Sequence, residues 1–341
     1  MDSRIPRRRL LKSLGLALCS PLLSKLAFAS ENEWVLGFGS CMDLRKNQSF
    51  WETLNSRRFS HFAFLGDNLY PERDSLSELE KAYQKLSLSE GLTALKSRVN
   101  ISAIWDDHDF GADNADSTLP FRRESLSLFR SFWMQDYASE EDGVYSSRMI
   151  EHQGRKIHLI MLDSRYNRTA YGAASLEPMQ PDYVEEVVGE PVLLGNRQWE
   201  WLETQLDVPA DLKIIGSSIQ VLSSDHRFEK WMNYPSEHQR LMKALGRISA
   251  PSLILSGDRH LHEISRTQLV SGRAIYDFTS SGFNRAEGLS RFEKNRLRVQ
   301  RSLEDGFGEI RLKWVDGVPF VTMSMVDRNG EVRFTHSDYL V

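Results

Sequence analysis

Hydrophobic residues in this chain gather into short runs separated by polar or helically patterned stretches. Runs at 34–38, 61–65, 101–105, 157–162, 213–219, 252–255 and 274–278 each have strand length. Between them, 76–95, 121–137, 196–206 and 236–245 carry helical spacing of apolar positions. This alternation predicts an α/β fold whose sheets are covered by helices. After Phe307 the pattern changes to strands at 309–315, 319–326 and 331–336, separated by the turn dipeptides Asp316-Gly317 and Asn329-Gly330. These strands are expected to form an antiparallel meander closing the second sheet.

The stretch 169–194 is polar, weakly periodic and rich in Gly and Pro, and reads as a long insertion or substrate-side loop rather than a domain boundary. No internal repeat or low-complexity tract stands out.

The first 29 residues follow a different rule. A basic start (Arg4, Arg7, Arg8, Arg9, Lys12) precedes a mainly apolar stretch ending in Ala27-Phe28-Ala29, the pattern of a cleaved signal peptide. Arg7-Arg8-Arg9-Leu10-Leu11-Lys12 fits the twin-arginine form of such a signal. Export through the twin-arginine machinery to a periplasmic or secreted location is expected, with no stable membrane span. Leu18 before Cys19 is too bulky for a lipoprotein cleavage box.

With 40% hydrophobic and 26% charged residues, the remainder has the composition of one large globular domain, 30–341. Cleavage after Ala29 removes six of 43 basic and one of 47 acidic residues, leaving 37 against 46 and a mature charge of −9. An acidic domain without a basic run is not built for duplex nucleic acid or anionic lipid. Cleavage also removes Cys19 and leaves Cys41 alone, so that thiol is buried, reactive or metal-bound.

Polar clusters follow the apolar runs directly: Gly39-Ser40-Cys41, Gly66-Asp67-Asn68-Leu69-Tyr70, Asp106-Asp107-His108-Asp109, Asp163-Ser164-Arg165, Ser217-Ser218-Ile219-Gln220 and Ser256-Gly257-Asp258-Arg259-His260. Each alone has an ordinary reading as a turn, a solvated acidic loop, a surface ion pair, a buried thiol or a core histidine. Together, at the carboxyl ends of α/β strands, they converge on one pocket. Carboxylates crowded there repel one another unless cations neutralise them. Asp67, Tyr70, Asp107 and Asp258 offer oxygen, suited to Ca²⁺, Mg²⁺ or Mn²⁺, while Cys41, Tyr70 and His260 suit a more acidic transition metal.

Gly39-Ser40-Cys41, GDNLY at 66–70, WDDHDFG at 105–111 with Asn114 beyond, LDSRYNR at 162–168 and SGDRHLHE at 256–263 resemble the PhoD-like alkaline phosphatase D family of calcineurin-like metallophosphoesterases. The resemblance runs in order from about residue 34 to the C-terminus. It implies a two-sheet α-β-β-α sandwich and an exported alkaline phosphatase or phosphodiesterase using a metal-activated water. By this likeness Asp67 bridges two metals, Cys41, Tyr70 and His260 hold Fe³⁺, and Asp107 and Asp258 hold one or two Ca²⁺, with Mn or Mg as substitutes. Many relatives carry asparagine at the position of Asp107 and histidine at that of Asp258, which hardens this site toward oxygen-loving ions. His108 is expected to assist the transition state or protonate the leaving group, and Asp109 to orient its imidazole. Arg165 and Arg168 are expected to grip phosphate oxygens, and Gln220 to serve as a ligand or substrate contact. Glu229, Trp231 and the Tyr234-Pro235 turn also resemble the family but read as packing and capping residues. The expected partner is a small phosphate ester, acted on by a monomer. The alternatives are a non-catalytic exported calcium- or phosphate-binding protein and a hydrolase of a non-phosphorus ester.

Overall fold

A computed structural model of the chain describes residues 32–170, 191–286 and 293–341. The expected signal peptide at 1–29 and the greater part of the 169–194 loop lie outside the described residues.

In the first half, β1 (Trp34–Gly39), β2 (His61–Leu65) and β3 (Asn100–Ile104) alternate with α1 (Phe50–Ser56), α2 (Leu76–Ser87) and α3 (Glu90–Lys96), followed by the single turn α4 (Asp107–Phe110) and α5 (Arg122–Trp133). The second half contains β4 (Ser146–His152), β5 (Arg155–Met161), α6 (Asn196–Asp207), β6 (Leu212–Gly216), α7 (Pro235–Arg247), β7 (Ser252–Ser256), β8 (His262–Gln268), β9 (Ala274–Ser280) and β10 (Arg298–Ser302). The meander is β11 (Gly306–Val315), β12 (Val318–Asp327) and β13 (Val332–Tyr339).

Two sheets result, ordered β13-β12-β11-β1-β2-β3 and β10-β8-β9-β7-β6-β5-β4. The neighbours β1-β2-β3 and β5-β6-β7-β9 are parallel, and antiparallel strands are added outside them. The meander was expected to close the second sheet; instead β11 pairs antiparallel with β1, extending the sheet that opens the chain.

The central strands are mainly apolar because both their faces are covered. Leu159 of β5, Ile214 of β6, Leu255 of β7 and Phe278 of β9 enter the core between the sheets, where Phe278 meets Phe38 edge-on at 4.9 Å. Their neighbours Ile160, Ile215, Ile254 and Ile275 point the other way, into a second core with Trp199, Leu202, Leu241 and Leu245 of α6 and α7. The predicted 76–95 helix is divided because the Ser89 side chain accepts the Leu92 N–H at 3.3 Å and starts α3 afresh.

Candidate metal centre

The parallel strands of both sheets end along one edge, and the loops leaving those ends carry the polar clusters. There the ligating atoms of Cys41, Asp67 and His260 lie within 4.8 Å of one another, as do those of Asp67, Asp107 and His108. A third group joins Asp106, Glu229 and Asp258. Asp67 belongs to two of the three. Its Oδ2 accepts the Tyr70 hydroxyl at 2.6 Å and lies 3.5 Å from Cys41 Sγ.

Backbone conformation aims these donors. Among the described non-glycine residues, Cys41 (φ 60), Asp67 (φ 50), Asn114 (φ 56), Asp258 (φ 66) and His260 (φ 50) are left-handed, a conformation that costs free energy and gathers at functional sites. Gly66 before Asp67 (φ 99) permits the close approach of two loops, because a Cβ there would stand 2.5 Å from the Asp106 backbone nitrogen.

Hydrogen bonds set the chemical character of the donors. His260 Nδ1 meets the Arg285 carbonyl at 2.6 Å, which requires a proton on Nδ1 and leaves the Nε2 lone pair for a cation. The Ser281 and Ser40 hydroxyls donate to Cys41 Sγ at 3.1 and 3.5 Å, an arrangement suited to a thiolate. Asp107 Oδ1 accepts the His108 N–H at 2.8 Å and Oδ2 the Asn114 N–H at 2.7 Å.

Without cations the centre is electrostatically frustrated. Burial, with the neighbouring Asp107 and Cys41, holds the Asp67 carboxyl well above the ordinary carboxylate range. Burial likewise raises Asp106, lifts Asp258 to about 7 and pushes the Cys41 thiol up to about 11. Asp107 is the exception: burial would raise it, but His108, Arg165 and the Asn114 N–H together hold it low. The buried Oδ2 of Asp106 has no hydrogen-bond partner among the described residues. Crowded oxygen donors, one thiol and one oriented imidazole fit bound metal ions.

The profile of the PhoD-like phosphatase family matches residues 36–291. The chain belongs to that family. Its fold resembles the solved structure of PhoD, with a TM-score of 0.68 at 15% identity over 91% of this chain and 69% of that one. It also resembles purple acid phosphatase PPD1 from yellow lupin (Lupinus luteus) seeds, with a TM-score of 0.62 at 9% identity over 90% of this chain and 54% of that one. No curated protein sequence matches the chain. Family and ligand groups together define a metal-dependent phosphoesterase.

Within this PhoD-like centre the remaining expected residues occupy distinct places. The His108 imidazole is partly exposed and packs on the Tyr70 ring, with centroids 4.2 Å apart. The carboxylate facing its Nε2 is Asp113, at 3.9 Å. Asp109, expected to orient that imidazole, is buried and turned elsewhere. It accepts the backbone N–H groups of Asp106 (2.6 Å), Asn68 (3.0 Å) and Asp67 (3.2 Å), tying the loop after β2 to the loop after β3.

Arg165 and Arg168, expected to grip phosphate, have fully buried side chains directed at protein groups. Arg165 donates through Nε to Asp106 at 2.6 Å and through Nη1 and Nη2 to the two oxygens of Glu229. Arg168 donates to Glu229 and to the carbonyls of Asn114 and Ala115. Gln220 lies outside the ligand groups. Its amide donates to Thr279 of β9 at 2.7 Å and Glu263 of β8 at 3.1 Å.

Sequence reasoning missed Ser281, Arg285 and Asp113, and set Glu229 aside as a packing residue. Ser281 follows the seventh apolar run, so the rule that found the other clusters would have found it too.

Proposed function

We propose that this protein is an exported hydrolase of phosphate esters, acting as an alkaline phosphatase or phosphodiesterase on a small ester. The observation that carries the reading is the sharing of Asp67 between two donor groups, the arrangement two adjacent cations need. Cys41, Tyr70 and His260 are the donors for Fe³⁺; Asp107 and Asp258, with Asp67 shared, are the donors for Ca²⁺. Cations so held supply charge neutralisation for the ester and a water acidic enough to ionise near neutral pH.

The chain's own residues do the rest. His108 stands at the partly exposed side of the centre, against Tyr70, where its imidazole delivers a proton to the departing alkoxide. Asp109 keeps the two ligand loops in register. The Arg285 guanidinium lies 4.1 Å from the Tyr70 ring centroid and adds positive charge beside the ligands. The basic N-terminal segment with Arg7 and Arg8 supports export by the twin-arginine route and a periplasmic or secreted location.

The test is hydrolysis of p-nitrophenyl phosphate and bis(p-nitrophenyl) phosphate by protein purified from the exported fraction, before and after calcium chelation. Activity lost on chelation and restored by added Ca²⁺ is expected. A protein that binds calcium and phosphate but releases no nitrophenol would favour the binding-protein alternative. Full activity after exhaustive chelation would remove calcium from the scheme.

A further inference from the structure

Glu229 lies in the segment between β6 and α7, far in sequence from every metal donor, yet it touches both buried arginines. Its carboxylate accepts from Arg165 Nη1 at 2.9 Å, from Arg165 Nη2 and from Arg168 Nη1. All three side chains are at or near zero exposure. Such a cluster is costly to bury and does not by itself stabilise a fold, so its arrangement calls for a specific role.

The connections beyond it supply one. Arg168 passes from Glu229 to the carbonyls of Asn114 and Ala115, and the N–H of the left-handed Asn114 donates to Asp107 Oδ2 at 2.7 Å. Arg165 passes from Glu229 to Asp106, which also accepts the Ser218 hydroxyl at 2.7 Å. Both ends of the 106–115 segment are therefore pinned from one carboxylate.

We infer that Glu229 is a positioning residue that, through Arg165 and Arg168, sets the segment carrying Asp107 and so the affinity of the oxygen-rich cation site. This rests on the proposed metal-dependent hydrolysis and deepens it. Glu229 acts without touching substrate; Asp107 carries its effect. The arginines, buried and directed at protein groups, orient ligands in this scheme rather than grip phosphate.

A charge effect and a positioning effect are separable because Glu229 and Arg168 have opposite signs. Glu229→Gln keeps the shape and removes a negative charge, so both effects weaken calcium binding. Arg168→Gln removes a positive charge, so charge alone would tighten calcium binding, whereas loss of positioning weakens it. The experiment is calorimetric titration of CaCl₂ into chelator-treated full-length mature protein, with thermal melting in chelator as a fold control. Roughly tenfold or greater weakening is expected in both variants with the wild-type number of calcium ions.

Three results would overturn this. Tighter binding by Arg168→Gln would reduce the effect to charge. Loss of one calcium equivalent in Glu229→Gln would make Glu229 a ligand, a possibility raised by its proximity to Asp106 and Asp258. Wild-type affinity in both variants would leave only packing. Should Glu229→Gln fail to fold, Arg168→Gln alone still separates the first and last of these from the inference. Failure of the underlying reading looks different, since wild-type protein would then take up no calcium, or take it up and release no nitrophenol from either ester.

Discussion

Arg165 offers the clearest separation of an architectural role from a substrate-binding one. Truncation to methionine removes a fully buried guanidinium that bonds Asp106 at 2.6 Å and Glu229 at 2.9 Å. Among the described residues, Asp106 would keep the Ser218 hydroxyl and Glu229 the Arg168 guanidinium. Two buried carboxylates would then lose their shared counter-charge, an event that costs about 3–5 kcal/mol where an exposed pair would cost about 0–1. Residual support from Arg168 and Ser218 puts the expected loss near the lower end, at about 3 kcal/mol. For a urea slope of roughly 3 kcal/mol/M, the unfolding midpoint falls by about 1 M. Urea unfolding followed by tryptophan fluorescence, in chelator so that no cation compensates the carboxylates, measures it. Arg165→Met combined with Glu229→Gln should lose less than the sum of the single variants, since each removes the other's partner. A midpoint within roughly 0.3 M of wild type, with turnover abolished, would refute the argument and return Arg165 to the substrate.

Other consequences are equally open to measurement. Cys41→Ser should bleach or shift a visible charge-transfer band of the iron-loaded protein, and Tyr70→Phe should remove the phenolate contribution. Unchanged colour and iron content in both would leave Cys41 a buried thiol worth on the order of 1 kcal/mol. Burial lifts Asp258 to about 7, so in cation-free protein that carboxyl holds a proton below this pH and must release it on binding. Calcium affinity should therefore fall as pH drops, by roughly tenfold between pH 8 and pH 6, and level off above 8; a flat profile in calorimetry from pH 6 to 8 would contradict this. Replacing Arg7 and Arg8 by lysine should retain the precursor in the cytoplasm on cell fractionation, and unchanged export would indicate the general secretory route.

The sequence was most readable where burial is two-sided. β1, β2, β5, β6, β7 and β9 carry mainly apolar runs because each packs on both faces, and every donor loop follows one of them or β3. Strand β8, His262–Gln268, was not legible, since its charged and hydroxylic side chains are satisfied by Asn295, Arg298 and Ser280, contacts only the folded chain creates. Nor does the sequence separate the neighbours Asp106 and Asp107. The first is extended before α4 and turns to Arg165 and Ser218, whereas the second opens the helical turn and faces Asp67 and His108. Asp109 misled for the same reason: one residue from His108 in sequence, its side chain departs in another direction. Adjacency along a turn says little about which way a carboxylate points.

The left-handed backbone at Cys41, Asp67, Asp258 and His260 bears on how such a centre changes over evolutionary time. When the direction of a donor is written into main-chain torsion, the side chain at that position becomes exchangeable. Thiolate, carboxylate, amide or imidazole can be installed on the same vector, and the fold has no need to follow. Metal preference can then drift by single codon changes while the architecture stands still. The same torsions limit the traffic in one respect: β-branched residues are poorly tolerated at positive φ, so the interchange runs among unbranched donors.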